Sequence, residues 1–193
     1  MKILSTLILS ITLLLAACSQ PVVFKSSDIT GVDWGKNLSL TDHNGQQRQL
    51  ADFKGKVVVV FFGYTQCPDV CPTTLLAMRE VLSRLGEDGK RVQVLFVTVD
   101  PERDSAQLLS EYVTAFDPSF IGLRGDEAAT ATAAKEFKVF YAKHAGTEPG
   151  TYGIDHTTGS YVFDPQGRLR LLVRHGEPAD SVTADLKLLL AGN

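Results

Sequence analysis

Beyond the N-terminal stretch, the apolar positions of this chain fall into runs that read directly as buried elements. Val57 to Phe62 is unbroken Val-Val-Val-Val-Phe-Phe, the pattern of a strand covered on both faces. Arg91 to Val99 repeats it with Val92, Val94, Leu95, Phe96, Val97 and Val99. Between the two, Leu75, Leu76, Met78, Val81, Leu82 and Leu85 recur at helical spacing, and Gly86 stands where it can end that helix. Strand, helix and strand in this order predict a right-handed parallel βαβ unit.

The flanking segments extend the layout. Leu38 to Thr41 alternates, Asp42-His43-Asn44-Gly45 is a turn, and Gln46 to Leu50 returns, which predicts an N-terminal hairpin. Asp52 to Lys56 turns into the first long strand. A helix is expected over Ala106 to Phe116, capped by Asp104 or Ser105, and another over Glu127 to Phe137, capped by Asp126. Phe120 to Leu123 and Val139 to Ala142 read as short strands. Ser160 to Phe163 and Arg168 to Val173 flank the tight turn Asp164-Pro165-Gln166-Gly167, and Ala179 to Leu190 is a closing amphipathic helix. Lys143 to Thr158 is expected as a long loop, functional or mobile, ending in Ile154-Asp155-His156-Thr157. A parallel βαβ half joined to an antiparallel half is the layout of an α/β, thioredoxin-like fold: a central mixed sheet flanked by helices. There is no internal repeat.

Chemistry enters after the first strand. It breaks at Gly63, and Cys67 and Cys71 follow in Cys67-Pro68-Asp69-Val70-Cys71-Pro72. Pro72 is expected at the first position of the helix, where its missing N–H costs nothing. Partial positive charge at a helix start favours thiolate, which is both the nucleophile and the metal ligand. Two outcomes fit such a pair: reversible disulfide formation, or clamping of a soft metal ion. Three residues separate the cysteines, where thioredoxin itself has two. The polar stretch Asp100-Pro101-Glu102-Arg103-Asp104-Ser105 falls at the carboxyl end of the second long strand, the same functional edge as the cysteines. His43 reads as a turn residue, and His144 and His175 as surface or strand-end residues.

Composition narrows the class. The 193 residues suffice for one domain, and 44% apolar with 21% charged residues is ordinary for a globular chain. A formal net charge of −3 gives no basis for a nucleic-acid partner. Lys2 followed by the short apolar stretch Leu7 to Leu15 has the form of a secretory signal. Leu15-Ala16-Ala17-Cys18 resembles the lipobox of bacterial lipoproteins, which implies a signal peptide over residues 1–17 and lipid on Cys18. A plain signal peptide or an uncleaved anchor would be the alternatives. Residues 18–31 are expected as a tether and residues 32–193 as the domain, an exported lipoprotein facing the periplasm or extracytoplasmic side. The domain then keeps only Cys67 and Cys71, too close together for a bridge to restrict the unfolded chain much, so chemistry outweighs stapling.

Taken together, Asp52-Phe53-Lys54-Gly55-Lys56, Phe62-Gly63-Tyr64-Thr65, the Cys67 to Pro72 motif, Val99 to Asp104 and Asp155-His156-Thr157 resemble the Sco/SenC family of copper chaperones. The resemblance covers almost the whole domain. It implies a thioredoxin fold with an inserted loop or hairpin before His156, copper as Cu(I) and Cu(II), and Cys67, Cys71 and His156 as its ligands. Asp155 is expected to orient the imidazole ring or a neighbour. Two thiolates and one imidazole suit copper, whereas structural zinc sites use four protein ligands. The implied function is delivery of copper to the binuclear site of cytochrome c oxidase. Expected partners are the oxidase copper-bearing subunit, a thioredoxin-like reductant for Cys67 and Cys71, and another periplasmic copper chaperone. A thiol-disulfide oxidoreductase is the competing reading, and a peroxide-reducing enzyme a weaker third; His156 divides the first two, because disulfide exchange has no need of a distant imidazole.

Overall fold

A computed structural model describes residues 22–146 and 148–193. The expected signal peptide and Cys18 lie outside the described residues. The two long apolar runs pair in parallel at the centre of an eight-stranded sheet: β4 (Val57–Gly63) lies beside β5 (Val92–Thr98), residue for residue from Val57↔Val92 to Gly63↔Thr98. α1 (Val70–Leu85) joins them. The remaining strands of this sheet are β1 (Ser27–Asp28), β2 (Ser39–Asp42), β3 (Gln47–Gln49), β6 (Ile121–Arg124), β9 (Ser160–Phe163) and β10 (Leu169–Val173), in the order β1-β10-β9-β4-β5-β6-β2-β3. β5 and β6 are parallel, and β9 runs antiparallel to β4, so the sheet is mixed as the pattern predicts.

All seven residues of β4 are buried because both faces are covered. Val57, Val59 and Phe61 point into a core shared with Leu75, Met78 and Val81 of α1, Leu109 and Val113 of α2 (Ala106–Phe116), and Leu186 and Leu189 of α4 (Ala179–Leu190). Val58, Val60 and Phe62 point the other way, into a core with Leu95, Val97, the N-terminal hairpin residues Leu38 and Leu40, and Ala133, Ala134 and Phe137 at α3 (Glu127–Glu136). Period-two alternation in one strand thus builds both halves of the interior. Ser105 and Asp126 cap α2 and α3 as expected, accepting from Leu108 N and Ala129 N.

Five expectations need correction. α1 begins at Val70, so Pro72 is its third residue; its missing N–H still falls among the first four that lack a helical partner. α3 ends one residue early, at Glu136, where Lys138 takes a positive φ of 55° and turns the chain. The segment expected as tether is part of the fold from Phe24 onward. Lys25 N and Ser26 N donate to the Asp185 carboxylate at 2.7–3.1 Å, and Ser27–Asp28 pairs with Leu171 and Leu172 of β10. The expected loop over 143–158 is largely a β-hairpin, β7 (Tyr141–Ala145) and β8 (Tyr152–His156), a separate two-stranded sheet. No strand forms over Val139 and Phe140; the pairing starts at Tyr141, opposite His156. Among the described residues no helix is long and apolar enough to cross a membrane.

Candidate metal centre

The site forms where β4 ends. At Gly63 the chain leaves the sheet, and Cys67 N donates back to the Tyr64 carbonyl at 3.2 Å, closing the turn that carries the first cysteine. Cys71, second residue of α1, is fully buried, and Cys67 is half-buried. The Cys71 sulfur packs onto Gly63: a Cβ there would stand 2.7 Å from Sγ and 2.9 Å from Phe96 Cε2. Glycine is therefore required by space, not by backbone conformation.

His156 arrives from the last residue of β8. Its Nε2 is 3.6 Å from Cys71 Sγ, and the two sulfurs and Nε2 all lie within 4.8 Å of one another. Nδ1 is 2.9 Å from the Thr157 carbonyl. A carbonyl only accepts, so Nδ1 donates to it, and Nε2 is the ring nitrogen that faces the sulfurs. Phe61 and Tyr64 hold the ring edge-on, with centroids 6.1 and 6.0 Å away. The structure thus gathers the three residues singled out by sequence, with Cys71 and His156 meeting across 85 positions of chain. The ring is carried by a strand end and not by the long loop expected over 143–158.

Asp155 does not orient His156. Alternation along β8 turns its side chain to the opposite face, where it is exposed and lies 3.7 Å from His144 Nε2. The Thr157 carbonyl holds the ring instead. His43 is more than a turn residue: its Nδ1 accepts from Gly122 N at 3.1 Å and ties the N-terminal hairpin to β6. His175 contacts Thr74 Oγ1 at 3.2 Å and, among the described residues, joins no ligand cluster.

The two thiols differ sharply. Hydrogen bonding from Cys71 brings the Cys67 pKa down to about 4, burial opposes this, and His156 together with the backbone adds to the lowering. Cys71 is pushed far up, because its proton is the one held against the Cys67 sulfur and because it is buried. The pair therefore holds one negative charge, on the more exposed sulfur. Behind it, Asp104 is buried and its carboxyl pushed up by that burial. It accepts from Thr65 Oγ1 at 2.6 Å and Thr98 Oγ1 at 2.5 Å, which pins the turn leading to Cys67.

Sequence reading passed over the residues that hold the hairpin in place. Tyr64 Oη accepts from Ile154 N at 3.3 Å, Tyr152 Oη donates to Asp100 at 2.8 Å, and Lys143 pairs with Glu102 at 2.6 Å. The polar loop after β5 marked one side of these contacts; the other side was hidden because the hairpin was read as loop.

The geometry defines a class: an α/β, thioredoxin-like protein with a Cys-Cys-His cluster at the carboxyl edge of its sheet. The SCO1/SenC family model matches residues 27–191, and the chain belongs to that family. It is 34% identical over 157 residues to the mouse mitochondrial protein SCO2 homolog, a match spanning 80% of this chain and 62% of the mouse protein. The chain thus spans less than two thirds of that relative. Among solved structures, ScoI of Bradyrhizobium japonicum with copper bound is 39% identical, with a TM-score of 0.75 over 81% of this chain and 99% of the other. Apo Sco1 from Thermus thermophilus is 42% identical, with a TM-score of 0.77 over 89% and 100%.

Proposed function

We propose that this chain is a copper metallochaperone that carries copper through Cys67, Cys71 and His156 and delivers it to the binuclear copper site of a cytochrome c oxidase. One observation carries the reading: two sulfurs and an imidazole nitrogen converge within 4.8 Å, with no carboxylate in the cluster among the described residues. Soft thiolates select Cu(I), and the imidazole also suits Cu(II). Copper here is cargo. Cys67, already charged, is the first ligand; Cys71 gives up its proton as the ion binds, so uptake releases protons. Cys67 and His156 are partly exposed while Cys71 is buried, so a client's ligands reach the ion from the Cys67 and His156 side. The oxidase as destination is supported by the family, since a more distant Sco structure is described as one of the cytochrome c oxidase assembly proteins. Copper content of the reduced protein should fall sharply in Cys67→Ser and in Cys71→Ser, and full retention in both refutes the reading.

The cysteines must be reduced before they bind, which supports a thioredoxin-like reductant as partner, and another periplasmic copper chaperone is proposed as the source. Lipid on Cys18, holding the domain to the membrane, is supported by the Leu15-Ala16-Ala17-Cys18 pattern. Mass spectrometry of the native N-terminus tests it, and a free N-terminus elsewhere rules it out.

A thiol-disulfide oxidoreductase is a second reading that the electrostatics favour. A half-exposed thiol with a pKa of about 4 beside a buried free partner is what disulfide exchange uses. His156→Ala separates the two. Loss of copper affinity with little change in exchange rate supports the chaperone. Unchanged affinity with collapsed exchange supports the oxidoreductase.

A further inference from the structure

Among the described residues, the hairpin that delivers His156 pairs with no strand of the main sheet. A two-stranded hairpin alone is marginal in water, so the position of the imidazole depends on what anchors the hairpin. Beside the contacts of Tyr64 with Ile154 and of Lys143 with Glu102, a third set of its anchors converges on Arg103. The guanidinium Nε donates to the buried Asp100 carboxylate, whose other oxygen accepts from Tyr152 Oη at 2.8 Å. Nη1 donates to the Tyr152 carbonyl at 2.9 Å and to Gln66 Oε1 at 3.2 Å, the residue next to Cys67. The guanidinium plane also lies over the Tyr152 ring, 3.5 Å from its centroid, and 5.8 Å from that of Tyr64, which itself packs against His156. One side chain thus touches the β8 strand, the cysteine turn and the polar loop after β5.

We infer that Arg103 is the positioning residue for His156: it clamps the hairpin to the cysteine turn and sets the approach of the imidazole to the two sulfurs. The inference rests on the copper reading above. Only arginine meets the geometry, because a planar guanidinium donates in several directions while stacking on an aromatic face, and lysine does neither in this way. Coordination is left to the three ligands; Arg103 acts on one of them from behind.

The test uses Arg103→Lys, which keeps the charge and removes the fork. In the metal-free protein, amides of residues 141–145 and 152–156 should lose hydrogen-exchange protection while the β4 and β5 amides keep theirs. In the copper-loaded protein, Arg103→Lys should weaken affinity by about tenfold or more, the usual cost of disturbing a ligand's support. Because Arg103 acts through His156, the same change in a His156→Ala background should cost almost nothing further. Hairpin protection equal to wild type overturns the inference. So does an Arg103→Lys effect that adds in full to that of His156→Ala, since Arg103 would then support the fold and not the ligand. If His156→Ala leaves wild-type affinity unchanged, the copper reading fails, and the exchange measurement still decides the placement of the hairpin. Should Arg103→Lys fail to fold, Tyr152→Leu removes the stacked ring from the hairpin side, and the same two outcomes decide.

Discussion

At the scale of single residues, the site works by giving chemically identical groups different surroundings. Cys67 and Cys71 are four positions apart, yet one is driven towards thiolate and the other away from it. A lowered pKa means the charged form persists as pH falls, down to about 4 for Cys67. Iodoacetamide at pH 6 should therefore modify Cys67 and leave Cys71 unmodified, with the rate dropping only below about pH 4; mass mapping of the alkylated peptides checks this. Gly63 supplies a second case. Gly63→Ala would push a methyl group to 2.7 Å from Cys71 Sγ, where both the sulfur and Phe96 must move. A loss of about 1–3 kcal/mol in urea unfolding is expected from overpacking, together with weaker copper binding.

At the scale of elements, the helices that flank the site are set by local signals, and their ends are testable one at a time. Ser105 Oγ accepts from Leu108 N at 3.1 Å and caps α2. Ser105→Ala should cost about 1 kcal/mol, or roughly 2–4 °C in thermal midpoint for a domain of this size, read by calorimetry. The hairpin of β7 and β8 is set differently. Its two strands satisfy each other's backbone, but its docking uses side chains: Tyr64 to Ile154, Tyr152 to Asp100, Lys143 to Glu102. Tyr64→Phe removes the acceptor of Ile154 N and should lower hydrogen-exchange protection at Ile154 while the central strands stay protected.

At the scale of the whole molecule, two distant turns share one design and give the fold its acid sensitivity. Asp42 and Asp164 each begin an Asp-x-x-Gly turn and are buried. Burial alone would raise their pKa values, but backbone N–H groups and arginines outweigh it: Gln46 N and Arg48 at Asp42, Arg168 and Arg170 at Asp164. Both carboxyls end up lowered. A folded pKa below the unfolded one adds stability above the ordinary aspartate value of about 4 and loses it as pH falls through the folded value. Asp104 has the opposite sign: raised by burial, it costs stability at neutral pH, and protonation relieves that cost. Denaturant unfolding of Asp164→Asn should show a deficit at pH 7 that shrinks as pH falls below about 4, where the unfolded wild-type carboxylate takes up its proton, and is gone once pH passes the lowered folded value.

Most of the architecture was legible in the chain because its determinants are local. Unbroken Val and Phe runs specify strands buried on both faces, helical spacing of Leu and Met specifies α1, and Ser105 and Asp126 mark helix starts. Cys67, Cys71 and His156 could be chosen from residue type and from the family resemblance. Three things belonged to the tertiary structure. Short, weakly apolar segments such as Ser27–Asp28 and the 141–156 hairpin became strands only because β10, Asp185 and the 100–104 loop supply partners far along the chain. The burial that separates the two sulfurs comes from the core closing over Cys71 and not over Cys67. Finally, the support of His156 passed from its neighbour Asp155 to the Thr157 carbonyl and to Arg103, because strand alternation, invisible while the segment read as loop, decides which side of the hairpin each residue faces.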